Sequence, residues 1–379
     1  MKPRPAKGTK ARRPAKGTKA RPPAEPASPL DSPERVARLD PGGMGERIEG
    51  FADQLRAGVS IAGPVLARLA PHRPRRTVLF GMGGSAIAGD LTRSIVDREG
   101  DSPFHVVRHY EAPAWLTPED FMIFSSYSGE TEETIAAYRS LRYLGARSCV
   151  LTTGGTLARL ATADDVPLAA LPPGHPPRAA LGYSFSTLVQ IAAHLGLLAG
   201  GTERLEAAAE GVEEVASACK RTVVRSRNPA KRLAIRLAGR PVIVLANERT
   251  LGPVAWRWKG QLNENAKHLA WVAPLPEMNH NEVDSYVHPQ GLVGRLAAVF
   301  LRDPSDHPRI QARFRWLAAY LRRKGVQVDS VDAKGKDPMT RLMTCAAIGD
   351  YVSYYLALAH GTDPSALPGV QSLKKALSR

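Results

Sequence analysis

Phe121-Met-Ile-Phe-Ser-Ser-Tyr-Ser-Gly-Glu-Thr-Glu-Glu-Thr134 is the stretch that decides the fold. Four apolar residues over 121–124 read as a short buried strand, and a helix begins near Thr131. Between them lie Ser125, Ser126, Tyr127, Ser128 and Gly129. A strand that ends in hydroxyls and a glycine just before a helix start makes an anion cradle. The first-turn amides are unpaired there, the helix dipole is positive, and the hydroxyls add donors. Phosphate suits that geometry better than any other common ligand. The competing reading is an ordinary strand-to-helix turn, capped from within 131–134.

Upstream, Thr77-Val-Leu-Phe-Gly-Met-Gly-Gly-Ser-Ala-Ile-Ala-Gly-Asp90 repeats the plan: a strand over 77–80, then Gly81, Gly83, Gly84 and Ser85, then a helix. Glycines there let the backbone approach a ligand closely. Gly81, Gly83 and Ala86 also fit the dinucleotide fingerprint G-x-G-x-x-A. That reading wants an acid at the end of the next strand, 104–108, where Glu111 is only a loose candidate. Two oxyanion loops at the carboxyl ends of strands in one parallel sheet converge on one crevice. A sugar phosphate is therefore favoured over a dinucleotide.

The remaining chain keeps alternating. Ser32-Pro33-Glu34 reads as the start of a helix to Leu39, and a second helix covers 48–69 with a break near Gly63-Pro64. Strands are expected over 148–152 and 166–169, and helices after Gly155, over 180–198 and over 202–225. A second unit opens with a helical segment over 228–237. It continues with a strand over 241–246, a helix from Gly252 to about Ala266, a strand over 294–301, a helix over 308–324, a strand over 326–331 and a helix over 338–360. Such spacing indicates βαβ units in mostly parallel sheets, hence two α/β sandwiches in tandem.

The 379 residues suffice for two or more domains. No apolar run reaches the roughly 18 residues needed to span a bilayer, so no membrane partner is expected. Cys149, Cys219 and Cys345 are far apart, which argues for reduced thiols in a cytoplasmic protein and against a disulfide framework. The net charge of +16 owes much to residues 1–22, which hold nine Lys or Arg and no acid. There Pro5-Ala-Lys-Gly-Thr-Lys-Ala-Arg12 recurs as Pro14-Ala-Lys-Gly-Thr-Lys-Ala-Arg21. Such a segment buries too little apolar surface to fold and lacks the core of a secretory signal. It reads as a disordered basic tail over 1–31, able to touch nucleic acid through charge alone. Domains over 32–225 and 226–379 follow.

With these pieces assembled, the chain resembles the bifunctional phosphoglucose/phosphomannose isomerase family, tandem sugar-isomerase (SIS) domain proteins of the phosphoglucose isomerase superfamily. The matching motifs are Gly81-Met-Gly-Gly-Ser-Ala86, Ser126-Tyr-Ser-Gly-Glu-Thr131, Pro177-Arg-Ala-Ala-Leu181, Asn263-Glu-Asn-Ala-Lys267, Pro276-Glu-Met-Asn-His-Asn281, and Gly349-Asp-Tyr-Val352 with Leu373-Lys374. They are spread over about residues 45–379 in the family's order.

The resemblance implies an aldose–ketose isomerase that works without metal or redox cofactor. It implies Glu264 as the base moving a proton between C2 and C1, a task suited to a partly buried carboxylate. It implies His280 as the ring-opening acid/base, since imidazole titrates near neutrality. Arg178 would stabilise the enediolate, and Lys374 would close the pocket and assist ring opening. Ser126, Ser128 and Thr131 would hold the phosphate, with Gly83, Gly84 and Ser85 beside the sugar. A homodimer with shared active sites is also implied. By residue type alone, Glu277 competes with Glu264 and Lys375 with Lys374, and Asn279-His280-Asn281-Glu282 also reads as a capping box. Two positions depart from the pattern: Glu130 puts a negative charge beside the phosphate loop, and Leu367 stands where a small polar residue is expected near C2. The rival from another class is a phosphosugar-binding SIS sensor with no catalytic step.

Overall fold

The structure is a computed structural model that describes residues 29–377. The basic repeat falls within 1–28 and lies outside the described residues.

Four short helices lead in: α1 (Pro33–Leu39), α2 (Met44–Glu49), α3 (Phe51–Ile61) and α4 (Gly63–Leu66). Ser32 caps α1 by accepting from the Arg35 amide. The single helix expected over 48–69 is instead divided at Gly50 as well as near Gly63-Pro64. The tail boundary at residue 31 also moves. Pro29–Asp31 form a 3-10 turn with Leu30 buried, and Asp31 takes hydrogen bonds from the Arg225 amide and Lys231 Nζ.

The first sheet contains β1 (Thr77–Gly81), β2 (Phe104–Val107), β3 (Phe121–Ser125), β4 (Arg147–Thr152) and β5 (Leu168–Ala170). They are parallel in the order β2-β1-β3-β4-β5. Connecting and covering them are α5 (Gly83–Glu99), α6 (Glu132–Leu141), α7 (Gly155–Ala163), α8 (Leu181–His194) and α9 (Thr202–Cys219). β1 and β3 are buried at every position, as continuous apolar runs demand in a sheet covered on both faces. The chain leaves β1 through α5 to reach β2 on one side, while β3 lies on the other. This reversal is the switch point at which ligands bind in open α/β sheets. Gly81 and Ser125 sit side by side there.

The second unit runs α10 (Pro229–Leu237), β6 (Val242–Asn247), α11 (Gly252–Glu264), β7 (Ala270–Leu275), α12 (Met278–Asn281), α13 (Gln290–Val293), β8 (Ala297–Arg302), α14 (Pro308–Arg323), β9 (Gln327–Asp332), α15 (Pro338–His360) and α16 (Pro368–Leu377). Its parallel sheet has the order β7-β6-β8-β9. Among the described residues, β7, α13 and α16 are elements absent from the sequence reading. β7 is an edge strand carrying Pro274, which an edge tolerates because one side has no ladder to feed.

The two sheets share a core through α15. This helix is long and apolar enough in composition to cross a membrane, yet 89% of its apolar window is buried inside the protein. It packs on α9, α10 and α11, so it is the central beam of the molecule. The α11–α15 crossing depends on Gly349: a Cβ there would meet Trp258 Nε1 at 2.3 Å. Trp258 is fully buried and donates to the Cys345 carbonyl at 2.9 Å.

Candidate active site

The site forms where the first sheet's switch point faces the end of α11. At the head of α5 the turn is stripped to glycine for two reasons. Gly83 has φ +49°, and a Cβ on Gly84 would lie 2.9 Å from the Pro177 carbonyl oxygen. The glycine turn thus packs directly on the backbone that carries Arg178. No side chain caps α5, so its first amides stay available.

The second loop is built from hydroxyls. Ser126 Oγ and Thr131 Oγ1 are 2.8 Å apart, and Ser126 Oγ accepts from the Gly129 amide at 3.1 Å. Ser128 Oγ accepts from the Glu130 amide at 3.2 Å. Thr131 occupies the N-cap position of α6 but makes no side-chain cap, so the simple capped-turn reading does not describe this loop. Glu130 points away from the cradle, accepting from the Thr156 amide at 2.7 Å and from its hydroxyl. Those hydrogen bonds hold its carboxyl below the ordinary range.

Arg178 sits in a 3-10 turn, Pro177–Ala179, and is buried. Its Nε donates to Asn265 Oδ1 at 2.7 Å. Its Nη2 donates to the carbonyls of Pro364 and Ser365 at 2.7 and 3.1 Å. Nη1 lies 3.6 Å from the Glu264 carboxylate. Burial lowers the pKa of the guanidinium, and the charges of Glu264 and Asp363 oppose that shift. Three residues beyond Glu264, Lys267 has φ +50° and donates from Nζ to the Asp363 carbonyl at 2.6 Å. Burial and the nearby Arg178 charge push its pKa down.

A cavity of about 560 Å³ is lined by Gly83, Gly84, Arg178 and Glu264, with Trp256 and Lys259 on its wall. The structure therefore brings four of the sequence-predicted site residues together. Ser85 is buried one residue further along α5. Ser126, Ser128 and Thr131 are not in the wall of this cavity, but their strand adjoins β1 at Gly81–Ser125.

His280 and Lys374 are not brought to Glu264 within the chain. His280 is exposed on α12, the short helix that follows β7. Lys374 is exposed on α16. The expected capping box over 279–282 is not formed: Asn281 Nδ2 instead donates to Glu277 Oε1 at 2.9 Å, and Glu277 is exposed away from the cavity. Of the two tryptophans earlier on α11, Trp258 is core, while Trp256 is 52% exposed. Leu367 is half-buried in the link to α16.

Residues 72–193 match the family model described as SIS domain, and residues 226–377 match that described as bacterial phospho-glucose isomerase C-terminal SIS domain. A bifunctional phosphoglucose/phosphomannose isomerase of Caldicellulosiruptor bescii is 32% identical over 335 residues, covering 88% of this chain and 99% of that one. The chain belongs to the bifunctional phosphoglucose/phosphomannose isomerase family. It is an isomerase with two SIS domains. A D-glucosamine-6-phosphate 4-epimerase of Sulfolobus acidocaldarius is 32% identical over 215 residues, covering 56% of this chain and 64% of that one. A hypothetical protein from Thermus thermophilus shares the fold, with a TM-score of 0.71 at 18% identity, covering 91% of this chain and 93% of that one.

In this isomerase the second sheet has its own switch point, between β6 and β8, but protein fills it. Asp306 is buried there and accepts from Asn247 Nδ2 and Thr250 Oγ1, each at 2.7 Å. Burial raises its pKa against those hydrogen bonds. A carboxylate of the chain's own thus occupies the place that serine hydroxyls line in the first domain.

Sequence reading missed the buried lattice behind Glu264. Arg257 Nη2 donates to Asp350 Oδ2 at 2.6 Å and to the Arg178 carbonyl at 3.1 Å, and Gln261 Nε2 donates to Asp350 Oδ1 at 2.8 Å. Asp350 falls within the quoted motif Gly349–Val352, but its partner lies 93 residues away with nothing local to mark it.

Proposed function

We propose that this isomerase interconverts glucose 6-phosphate and mannose 6-phosphate with fructose 6-phosphate through an enediol intermediate, without a metal ion, in the cytoplasm. The observation that carries the reading is the Glu264 carboxylate 3.6 Å from a buried guanidinium, in a cavity shared with the glycine turn.

The open-chain aldose carries its carbonyl at C1 and a C–H bond at C2. Glu264 takes the C2 proton and returns it to C1. O1 gains a proton and O2 gives one up, so the aldose becomes the ketose with atoms and electrons balanced. Negative charge builds on O1 and O2 between the two transfers, and Nη1 of Arg178 is the donor edge left to meet it. Ser126, Ser128 and Thr131 hold the phosphate, and Gly83, Gly84 and Ser85 flank the sugar.

His280 and Lys374 serve ring opening, and we assign the histidine to a second copy of the chain in a homodimer with shared sites. Two features support that assignment. His280 lies away from Glu264 in its own chain. α16 has no buried residue and exposes Val370, Leu373 and Leu377, an apolar stripe at helical spacing. We read the two SIS modules as dividing at 225/226.

Turnover on fructose 6-phosphate with EDTA present tests the function, with glucose and mannose 6-phosphate scored separately. Both products are expected at a rate that EDTA leaves unchanged. Binding of fructose 6-phosphate without turnover would favour the phosphosugar sensor. Action only on glucosamine 6-phosphate at C4 would replace the isomerisation with an epimerisation.

Gly129→Ala tests the phosphate loop. Gly129 has φ +68°, and a Cβ would lie 1.9 Å from the Gly154 carbonyl oxygen. The loop must move, at a cost above the ~1–2 kcal/mol of a left-handed side chain alone. The expected result is a KM for fructose 6-phosphate raised by roughly tenfold or more, with a lower melting temperature.

A further inference from the structure

Asn265 follows Glu264 at the C-terminal cap of α11 and is fully buried. Its backbone amide closes the helix by donating to the Gln261 carbonyl at 2.8 Å, so the cap needs nothing from its side chain. The side chain is used elsewhere. Oδ1 accepts from Arg178 Nε at 2.7 Å, and Nδ2 donates to Ser353 Oγ at 3.0 Å.

The direction of this chain of hydrogen bonds is fixed. Ser353 Oγ donates its proton to the Asp350 carbonyl at 2.8 Å, so it offers Asn265 a lone pair. A flipped amide would set its NH2 against the Arg178 N–H and its oxygen against the Ser353 lone pair. Both mismatches would be buried, where an unmade hydrogen bond is costly. A guanidinium is planar. Holding Nε through Asn265 and Nη2 through Pro364 and Ser365 therefore sets where Nη1 points.

We propose that Asn265 is a positioning residue: keyed by Ser353, it aims Arg178 Nη1 at the oxygens that gain charge during isomerisation. The inference rests on the isomerase reading above.

A double-mutant cycle with Arg178 tests it, with melting temperatures measured for every variant. Asn265→Ala lowers kcat about tenfold or more, with KM within about threefold, because the aim matters in the transition state rather than in binding. Arg178→Lys keeps the charge but loses the fork. Adding Asn265→Ala to Arg178→Lys lowers kcat by no more than about twofold further, since the two act as one unit. Ser353→Ala is the milder variant, usable even where Asn265→Ala does not fold. It frees the amide to turn and lowers kcat by about threefold to tenfold, with no further loss on Arg178→Lys.

A merely structural Asn265 would lower the melting temperature, leave kcat per folded enzyme intact, and show additive effects in the cycle. That outcome overturns the inference alone. Absence of wild-type turnover, read first, overturns the isomerase reading and this inference with it.

Discussion

Glu264→Gln lowers kcat on fructose 6-phosphate by about 10⁴-fold, the upper range for a positioned general base, while KM stays within about threefold. The substitution is nearly isosteric, so it leaves the cavity its shape and removes only the ability to take a carbon-bound proton. In the proposed reading, substrate affinity resides mainly elsewhere, in the hydroxyl loop of Ser126, Ser128 and Thr131 and in the glycine turn. Loss of kcat at constant KM is the mark of a group that acts in the transition state. Isotope exchange makes the reading independent of product assays. Wild-type enzyme turning over fructose 6-phosphate in deuterated water is expected to incorporate label at C2 of the aldose product, and the variant is not. Glu277→Gln is the control. Glu277 is exposed and bonded to Asn281, so its variant is expected to keep wild-type kcat. The reverse pattern would move the base to Glu277 and require a rearrangement of α12.

The folding pattern was legible wherever apolar runs alternate with glycine-marked helix starts. Thr77–Gly81 and Phe121–Ser125 are strands because neither face meets water, and such runs announce themselves. Pro338–His360 begins at a proline after an acidic cap and ends at Gly361 with φ +71°, so both its ends were readable. β7 was not readable: its half-buried edge pattern and Pro274 look like loop. α16 was missed because none of its residues is buried in the chain, leaving nothing in the intramolecular core to dictate it. At the site, local motifs marked the groups proposed to meet the substrate, since loops must present them at strand ends. The residues that aim those groups were invisible as partners. Arg257 and Asp350, or Asn265 and Arg178, meet only after two sheets have folded onto α15. Glu130 shows the opposite failure. Its charge suggested trouble beside a phosphate, and only the fold reveals that the head of α7 takes it up.

Asp350→Asn is expected to destabilise the protein by about 3–5 kcal/mol, because it leaves the Arg257 charge buried and unpaired. Both side chains are only 4% exposed, and Arg257 Nε already lacks a partner. No cavity is made by the change, so the loss is electrostatic, and urea unfolding would read it directly. The companion experiment separates stability from catalysis. In Arg257→Met/Asp350→Leu both charges are gone, and replacing a buried pair by apolar residues of similar volume is often neutral or stabilising. Most of the lost stability should therefore return. Activity should not, because Arg257 also holds the Arg178 carbonyl at 3.1 Å, and no methionine can do that. A double variant as stable as wild type with kcat down about tenfold would show that the ion pair serves the site through the backbone of Arg178. Full recovery of both quantities would instead make the pair a replaceable piece of packing between α11 and α15. In that case the aim of Arg178 would depend on its side-chain contacts with Asn265, Pro364 and Ser365 alone.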